Sequence, residues 1–342
     1  MPTISFKPKQ VSKRLLSVLP DRTRDIIISR FGLGKDSKKK TLEAIGNSYD
    51  ITRERVRQIE NAALMSIRKS ESFGKEKGVF DELHKLIYSF GGIVAEDDLL
   101  EHVSKDKTTQ NHIHFFLTLG DLFNQEREDD DLKTRWVVDR KMSEQVKDSL
   151  NKLYYDMSDD ALVSEAEIVE TFLKKIGDIP SEYKNEEVLK RWLSLSKRID
   201  KNPLGEYGIA TSPNVKARGM RDYAFLVIRQ HGSPMHFTEV AKNIQKIFNK
   251  PAHEATCHNE LIKDNRFVLV GRGLYALSEW GYISGVVRDV IKKVIEAEGS
   301  LTKKEIVDKV LKERYVKENT IMVNLQNGKY FKKDKKGKYS LA

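Results

Sequence analysis

Arg53, Glu54, Arg57 and Gln58 lie within a nine-residue run, TRERVRQIE, that opens at Thr52. These side chains can read base edges in a DNA major groove. A guanidinium pairs bidentately with guanine, a glutamine amide pairs with adenine, and a glutamate accepts from the cytosine amino group. Threonine hydroxyls and helix N-termini suit phosphate oxygens, and Thr41 and Thr52 each stand just ahead of a helical pattern. Two lysine clusters offer less selective chemistry. Lys35, Lys38, Lys39 and Lys40 crowd one loop, and Lys329, Lys332, Lys333, Lys335, Lys336 and Lys338 crowd the C-terminal end. Phosphate contacts of that kind give affinity without sequence information.

The elements that must position these groups are legible in the pattern. Pro20 opens a helix in which Ile26, Ile27, Arg30 and Phe31 recur at helical spacing, and Gly32 and Gly34 end it. Thr41 caps a short helix containing Leu42 and Ile45, with a turn expected at Gly46-Asn47. Thr52 caps a third helix, with Glu54 and Arg55 in its first turn. Val56, Ile59, Ala63 and Ile67 form its buried stripe, and Arg53, Glu54, Arg57 and Gln58 fall off that stripe. A short helix, a turn and a helix with a polar N-terminal face make a helix-turn-helix reader.

Charge supports a polyanionic partner. The 342 residues carry a net charge of +10, with a pI near 9.3. Residues 1–78 hold 18 basic and 9 acidic side chains, residues 79–211 hold 18 and 28, and residues 212–342 hold 25 and 14. Two basic ends flank an acidic middle, so DNA contacts are expected at the ends. Cys257 is the only cysteine, which excludes a disulfide framework and a four-thiolate zinc site. No apolar run approaches the ~20 residues of a spanning helix, and MPTISFKPKQ lacks the apolar core of a signal peptide. The expectation is a soluble cytoplasmic, nucleoid-associated protein with no membrane attachment, cofactor or small-molecule ligand.

After the helix-turn-helix of residues 1–78, one pattern recurs four times, over 79–141, 142–213, 214–283 and 284–342. An apolar helix, a Gly- or Asp-containing turn, two further helices and a strand pair follow one another. The second helices begin within SFGGIVAEDDLLEHV, MSDDALVSEAEIVETFL, QHGSPMHFTEVAKNI and EAEGSLTKKEIVDKVL. Gly271-Arg272-Gly273 and Lys336-Gly337 supply hairpin turns. The fold class expected is mainly α with small β wings, a helix-turn-helix followed by four tandem winged-helix units. The first two units are acidic and expected to contact protein. The last two are expected to contact DNA, with Lys332, Lys333, Lys335 and Lys336 as nonspecific contacts.

Readings of another class are weaker. Glu126–Asp131 imitates a metal-binding carboxylate cluster, but no partner histidine is placed beside it. His253, Cys257 and His258 make an incomplete zinc set, and His112 and His114 point apart on a helix. There is no phosphate loop, nucleophile elbow or H-E-x-x-H, so neither catalysis nor a metal is expected. A purely structural adaptor remains the alternative, although it would not need an intact reading helix.

LPDRTRDIIISRFGL, TLEAIG and ITRERVRQIE closely resemble region 4 of the primary-type bacterial sigma factors, the module that reads the −35 promoter element and docks on the RNA polymerase β-flap. The resemblance runs from Val11 to Ser70. It implies that Arg53, Glu54 and Gln58 read bases while Thr41, Thr52, Arg55 and Arg57 contact the DNA backbone; the loop carrying Lys38, Lys39 and Lys40 is more basic than is usual in the family and is expected to add nonspecific phosphate contacts. Ala44 stands where the family usually has Glu, and nothing resembles regions 2 or 3. RDYAFLVIRQHGSPMHFTEVAKNI and GRGLYALSEWG, within 221–281, are similar to the HARE-type winged helix of the polymerase delta subunit. The basic Lys332–Lys338 stretch departs from that subunit's acidic tail. Together these imply a bacterial transcription factor that reads a promoter-like site and contacts polymerase.

Overall fold

The computed structural model describes residues 4–342. It is mainly helical, with small antiparallel sheets, and divides into two bodies: residues 1–200 with 207–210, and residues 201–206 with 211–342.

The first body opens with four helices, α1 (Pro8–Leu16), α2 (Asp21–Phe31), α3 (Leu42–Tyr49) and α4 (Arg53–Arg68). The caps are those the sequence predicts. Gly32 ends α2 in the left-handed region, and the Thr41 and Thr52 hydroxyls accept from the Ala44 and Arg55 amides. The turn is displaced. Gly46 lies inside α3, and the chain reverses at left-handed Asp50. A Cβ on Gly46 would sit 2.5 Å from the Ile51 carbonyl oxygen, so the glycine serves close approach of backbone rather than a bend. Of the expected stripe on α4, Val56, Ala63 and Ile67 are buried, and Ile59 is half-buried.

After the short α5 (Glu71–Lys75) come α6 (Lys77–Ser89), β1 (Ile93–Ala95), α7 (Glu96–Val103), α8 (Lys107–Leu119), β2 (Asn124–Glu126) and β3 (Arg135–Val137). The sheet order β1-β3-β2 places the last strand in the middle. Next come α9 (Arg140–Asp156), α10 (Glu165–Ile176), α11 (Glu186–Ser194), β4 (Ile199–Lys201) and β5 (Tyr207–Ile209), with a Val163–Tyr207 bridge where the other repeats have a first strand. Because α9 starts at Arg140, the expected boundary at 141/142 cuts a helix.

Two continuous cores tie this body together. The helix-turn-helix does not end at its own core. Leu15, Ile27, Phe31, Leu64 and Ile67 share one cluster with Leu83, Ile113, Phe115, Phe116 and Trp136. Polar contacts fix the register of α8 in that interface. Asn111 Nδ2 donates to the Gly32 and Ser37 carbonyls at 2.9 Å each, Ser12 Oγ meets His112 Nδ1 at 2.7 Å, and Arg68 donates to the Leu119 and Thr118 carbonyls at 2.8 and 3.0 Å. Arg68 thereby satisfies carbonyls that the end of α8 leaves unpaired.

The small sheet separates the two cores. Along β1 and β3 alternate residues face opposite ways, so Val94 and Trp136 join the first cluster while Ile93, Ala95 and Val137 join a second with Leu150, Phe172 and Trp192. At this junction Gly91 has φ +91°, and a Cβ there would lie 2.5 Å from the Trp192 ring. The acidic stretch at 126–131 also belongs here. Glu126 and Asp129 pair with Arg135, Asp129 also with Lys147, Glu128 with Lys197, and Asp131 with Arg198. These carboxylates join the first repeat to the second instead of forming a free anionic wing. Among the described residues no group of histidines, cysteines and carboxylates could hold a metal ion.

The second body carries α12 (Met220–His231), β6 (Met235–His236), α13 (Phe237–Phe248), α14 (Glu254–Lys263), β7 (Phe267–Gly271) and β8 (Leu274–Leu277). It continues with α15 (Val287–Glu298), β9 (Leu301–Thr302), α16 (Lys303–Glu313), α17 (Glu318–Leu325), β10 (Phe331–Lys333) and β11 (Lys338–Leu341). Both sheets again put the final strand between the other two. Arg266 pairs with Asp222 and Asp264 within the third repeat, and the Tyr315 amide donates to the Val270 carbonyl, which joins the third repeat to the fourth. Cys257 is buried and burial pushes its thiol up to about 11, while His258 stacks on Phe237. No helix among the described residues is long and apolar enough to cross a membrane.

Two predictions follow from the first body. Arg68→Ala is expected to lower its stability by about 1–3 kcal/mol, read from urea unfolding, because it leaves buried carbonyls without donors. His114 lies in the same interface, where burial pushes its imidazole down to about 4, helped by Lys39 and Arg30 and opposed by Glu96. The folded state holds the neutral ring while the unfolded chain protonates near ~6.5, so stability present above that pH is lost as pH falls toward 4. The drop in urea midpoint between pH 7 and pH 5 should be smaller for His114→Gln than for the unaltered chain.

Candidate nucleic-acid interface

The candidate interface is built on the N-terminal half of α4. Thr52 sets its first turn, and Val56 anchors it against Ile26 and Ile45 in a small separate core. Glu60 pairs with Arg30 at 3.1 Å, fastening the middle of α4 to α2. With the inner stripe so held, Arg53, Glu54, Arg55, Arg57 and Gln58 are all exposed. Asn61 is also exposed one turn further along the Glu54–Gln58 stripe, a position the sequence reading passed over.

The exposed side chains are ordered by one another. Arg57 donates to both Glu54 carboxylate oxygens, at 2.9 and 2.7 Å, and Arg55 donates to Gln58 Oε1 at 3.1 Å. The Arg57 hydrogen bonds hold the Glu54 carboxyl below its usual range, so it stays an ionised acceptor at neutral pH. Thr41 and Thr52 use their oxygens as cap acceptors, which leaves each hydroxyl proton free to donate outward.

The basic loop lies directly ahead of α3. Lys38 and Lys40 are exposed, and the loop is tied back by the Lys40 amide donating to the Ser29 carbonyl. Lys39 is exposed as well, and its ammonium is pushed down by desolvation and by Arg30 and Lys107, with Glu96 opposing. Lys332 and Lys333 lie on β10, and Lys335 and Lys336 in the following turn, all exposed on the second body.

Sequence reasoning missed the groups that hold this interface from behind, above all Asn111 and Arg68. Their partners are backbone carbonyls distant along the chain, which no local pattern reveals.

Comparison with known proteins bears on this segment. Residues 15–69 match the family model of sigma-70, region 4. The RNA polymerase sigma factor SigA1 of Synechococcus elongatus is 50% identical over 54 residues, which are 16% of this chain and 13% of that protein. The sigma factor RpoS of Coxiella burnetii is 48% identical over 56 residues, 16% of each chain. The sigma factor RpoD of Helicobacter pylori is 44% identical over 61 residues, 18% of this chain and 9% of that one. The chain therefore spans less than a fifth of the length of these relatives. The segment that presents the charged helix, residues 15–69, is thus a match to sigma-70, region 4.

Proposed function

We propose that this chain is a sequence-specific DNA-binding transcription factor that reads a −35-like promoter element by laying α4 in the major groove. The observation that carries the reading is the exposure of Arg53, Glu54, Arg57 and Gln58 on the first two turns of a helix whose opposite side is buried. In this arrangement Arg53, Glu54 and Gln58 contact base edges. Arg55, Arg57, Thr41 and Thr52 contact the sugar-phosphate backbone, with Lys38, Lys39 and Lys40 adding nonspecific attraction.

The four helix-and-sheet repeats are read as winged-helix units. Each of the three complete ones has the order helix, strand, helix, helix, strand, strand with the last strand central, and the second lacks only a full first strand. The third is read as HARE-type, on GRGLYALSEWG and its hairpin. The similarity to RNA polymerase sigma factors supports a contact with polymerase core, including its β-flap. That contact must respect the interior face of the helix-turn-helix, which α8 already covers; large apolar side chains exposed on α1–α4 and their connections are Val18 and Met65. The chain acts by binding, in the bacterial cytoplasm at the nucleoid, and not as a catalyst. An adaptor that does not read DNA is the competing view, and the exposed reading face favours the former.

Selection of binding sites from a random duplex pool tests the reading. Gln58→Ala should flatten preference at one base pair by about 1–3 kcal/mol, while Lys38→Ala should weaken all sequences alike and reduce the salt dependence by about one phosphate contact. Unchanged preference in the Gln58 variant would sink the assignment of α4 as a reader.

A further inference from the structure

The start of the third repeat gathers charge that the fold does not consume. Arg266, just ahead of β7, is held from three sides. It donates to Asp264 and Asp222 at 2.7 and 2.9 Å and to Asn214 Oδ1 at 2.9 Å, and its guanidinium lies against the Phe225 ring. Asp222 also accepts from the Arg218 and Gly219 amides at 3.1 and 3.0 Å, which caps α12 from its own first turn. Both carboxylates are therefore engaged.

Lys216, Arg218 and Arg221 are not. All three are exposed, and none forms an ion pair with a carboxylate among the described residues. With Arg266, Asp222 and Asp264 they line one cavity of about 520 Å³ that lies wholly in the second body. Its charged walls hold four cations and two carboxylates, a net of +2. The fourth repeat shows the same turn with its charge consumed. There Asp289 accepts from the Val286 amide at 3.1 Å, as Asp222 does from Gly219, but Arg288, in the place of Arg221, pairs with Asp289 at 3.1 Å and lies over the Tyr330 ring.

Three cations that converge on one concavity repel one another until an anion joins them. The excess matches a phosphomonoester, which carries nearly two negative charges at neutral pH and three acceptor oxygens. Guanidinium forks take such oxygens in pairs, and Arg218 and Arg221 supply two. The end of α12 is already capped by Asp222, so the attraction comes from side chains. A cavity of this size falls within the ~300–1,000 Å³ of small-molecule sites, with room for the organic part of an ester beside its phosphate. A duplex backbone, convex and with one charge per phosphate, fits a concave dianion site poorly.

We propose that this cavity binds a free organic phosphate of nucleotide size, its phosphomonoester held by Lys216, Arg218 and Arg221. The site belongs to the second body alone and does not depend on α4.

Calorimetric titration of the full-length chain tests this with inorganic phosphate, the ribonucleoside 5′-monophosphates and 5′-diphosphates, glucose 6-phosphate, and adenosine as probes. At least one ester should bind about ten-fold or more tightly than inorganic phosphate, and adenosine should not bind. Lys216→Ala, Arg218→Ala and Arg221→Ala combined should weaken that ester by about ten-fold or more and leave affinity for a random-sequence duplex unchanged. Should this triple variant unfold, Arg218→Lys with Arg221→Lys decides: it keeps the charge, loses the forks and should weaken the ester by roughly three-fold or more. The proposal is overturned if no ester outbinds inorganic phosphate, or if the bound ester is indifferent to these substitutions. Loss of duplex affinity in the triple variant would also overturn it, since the cations would then serve a DNA backbone.

Discussion

The burial of α8 against the inner side of α1, α2 and α4 is the contact on which the first body depends. A helix-turn-helix of this size has little core of its own; Ile26, Ile45 and Val56 form only a small cluster beneath the reading helix. The rest of its apolar surface is closed by Ile113, Phe115 and Phe116. Asn111 and Arg68 decide where along α8 the closure occurs, since a shift of one residue would leave the Gly32, Ser37 and Leu119 carbonyls buried without donors. α4 is therefore seated on a large core through its C-terminal half and only on the small cluster of Ile26, Ile45 and Val56 through its N-terminal half.

The same logic extends through the sheet. A three-stranded sheet with strands of three residues would be marginal alone. Here both faces are covered, Val94 and Trp136 on one side and Ile93, Ala95 and Val137 on the other, so it acts as a wall shared by two cores. The carboxylates at 126–131 complete the junction by pairing with Arg135, Lys147, Lys197 and Arg198. In a stretch that looks repulsive to phosphate in one dimension, Glu128, Asp129 and Asp131 are, in three, paired with cations from the next repeat.

Local signals carried much of this. Threonine caps, the glycine after α2 and the 3.6-residue stripe on α4 mark the reader because each depends on neighbours within one turn. The hairpin turns at Gly271-Arg272-Gly273 and Lys336-Gly337 were equally visible. What was not visible depended on distant partners. The sequence reading placed the turn at Gly46-Asn47, whereas Gly46 is needed for close approach to Ile51 and the reversal falls at Asp50. The first strands of the first, third and fourth repeats, two or three residues long, are too short to show a period. Glu126–Asp131 gave no hint of Lys147 or Arg198 as partners, and α8, amphipathic in pattern, gave no sign that its polar Asn111 and His112 would be buried.

On the proposed function, the pairing of Arg57 with Glu54 and of Arg55 with Gln58 sets the terms on which α4 would meet DNA. Each side chain already has a partner in the unbound protein, so a base edge must exchange for that partner rather than fill an empty valence. A matching base returns an equivalent or better hydrogen bond with a closer fit, whereas a mismatched one returns less than was given up, and the side chains fold back onto each other. An unoccupied reading surface of this kind resists casual adhesion. It would let the protein leave wrong sites quickly, so that the time spent on a sequence, more than the rate of arriving there, would distinguish one site from another.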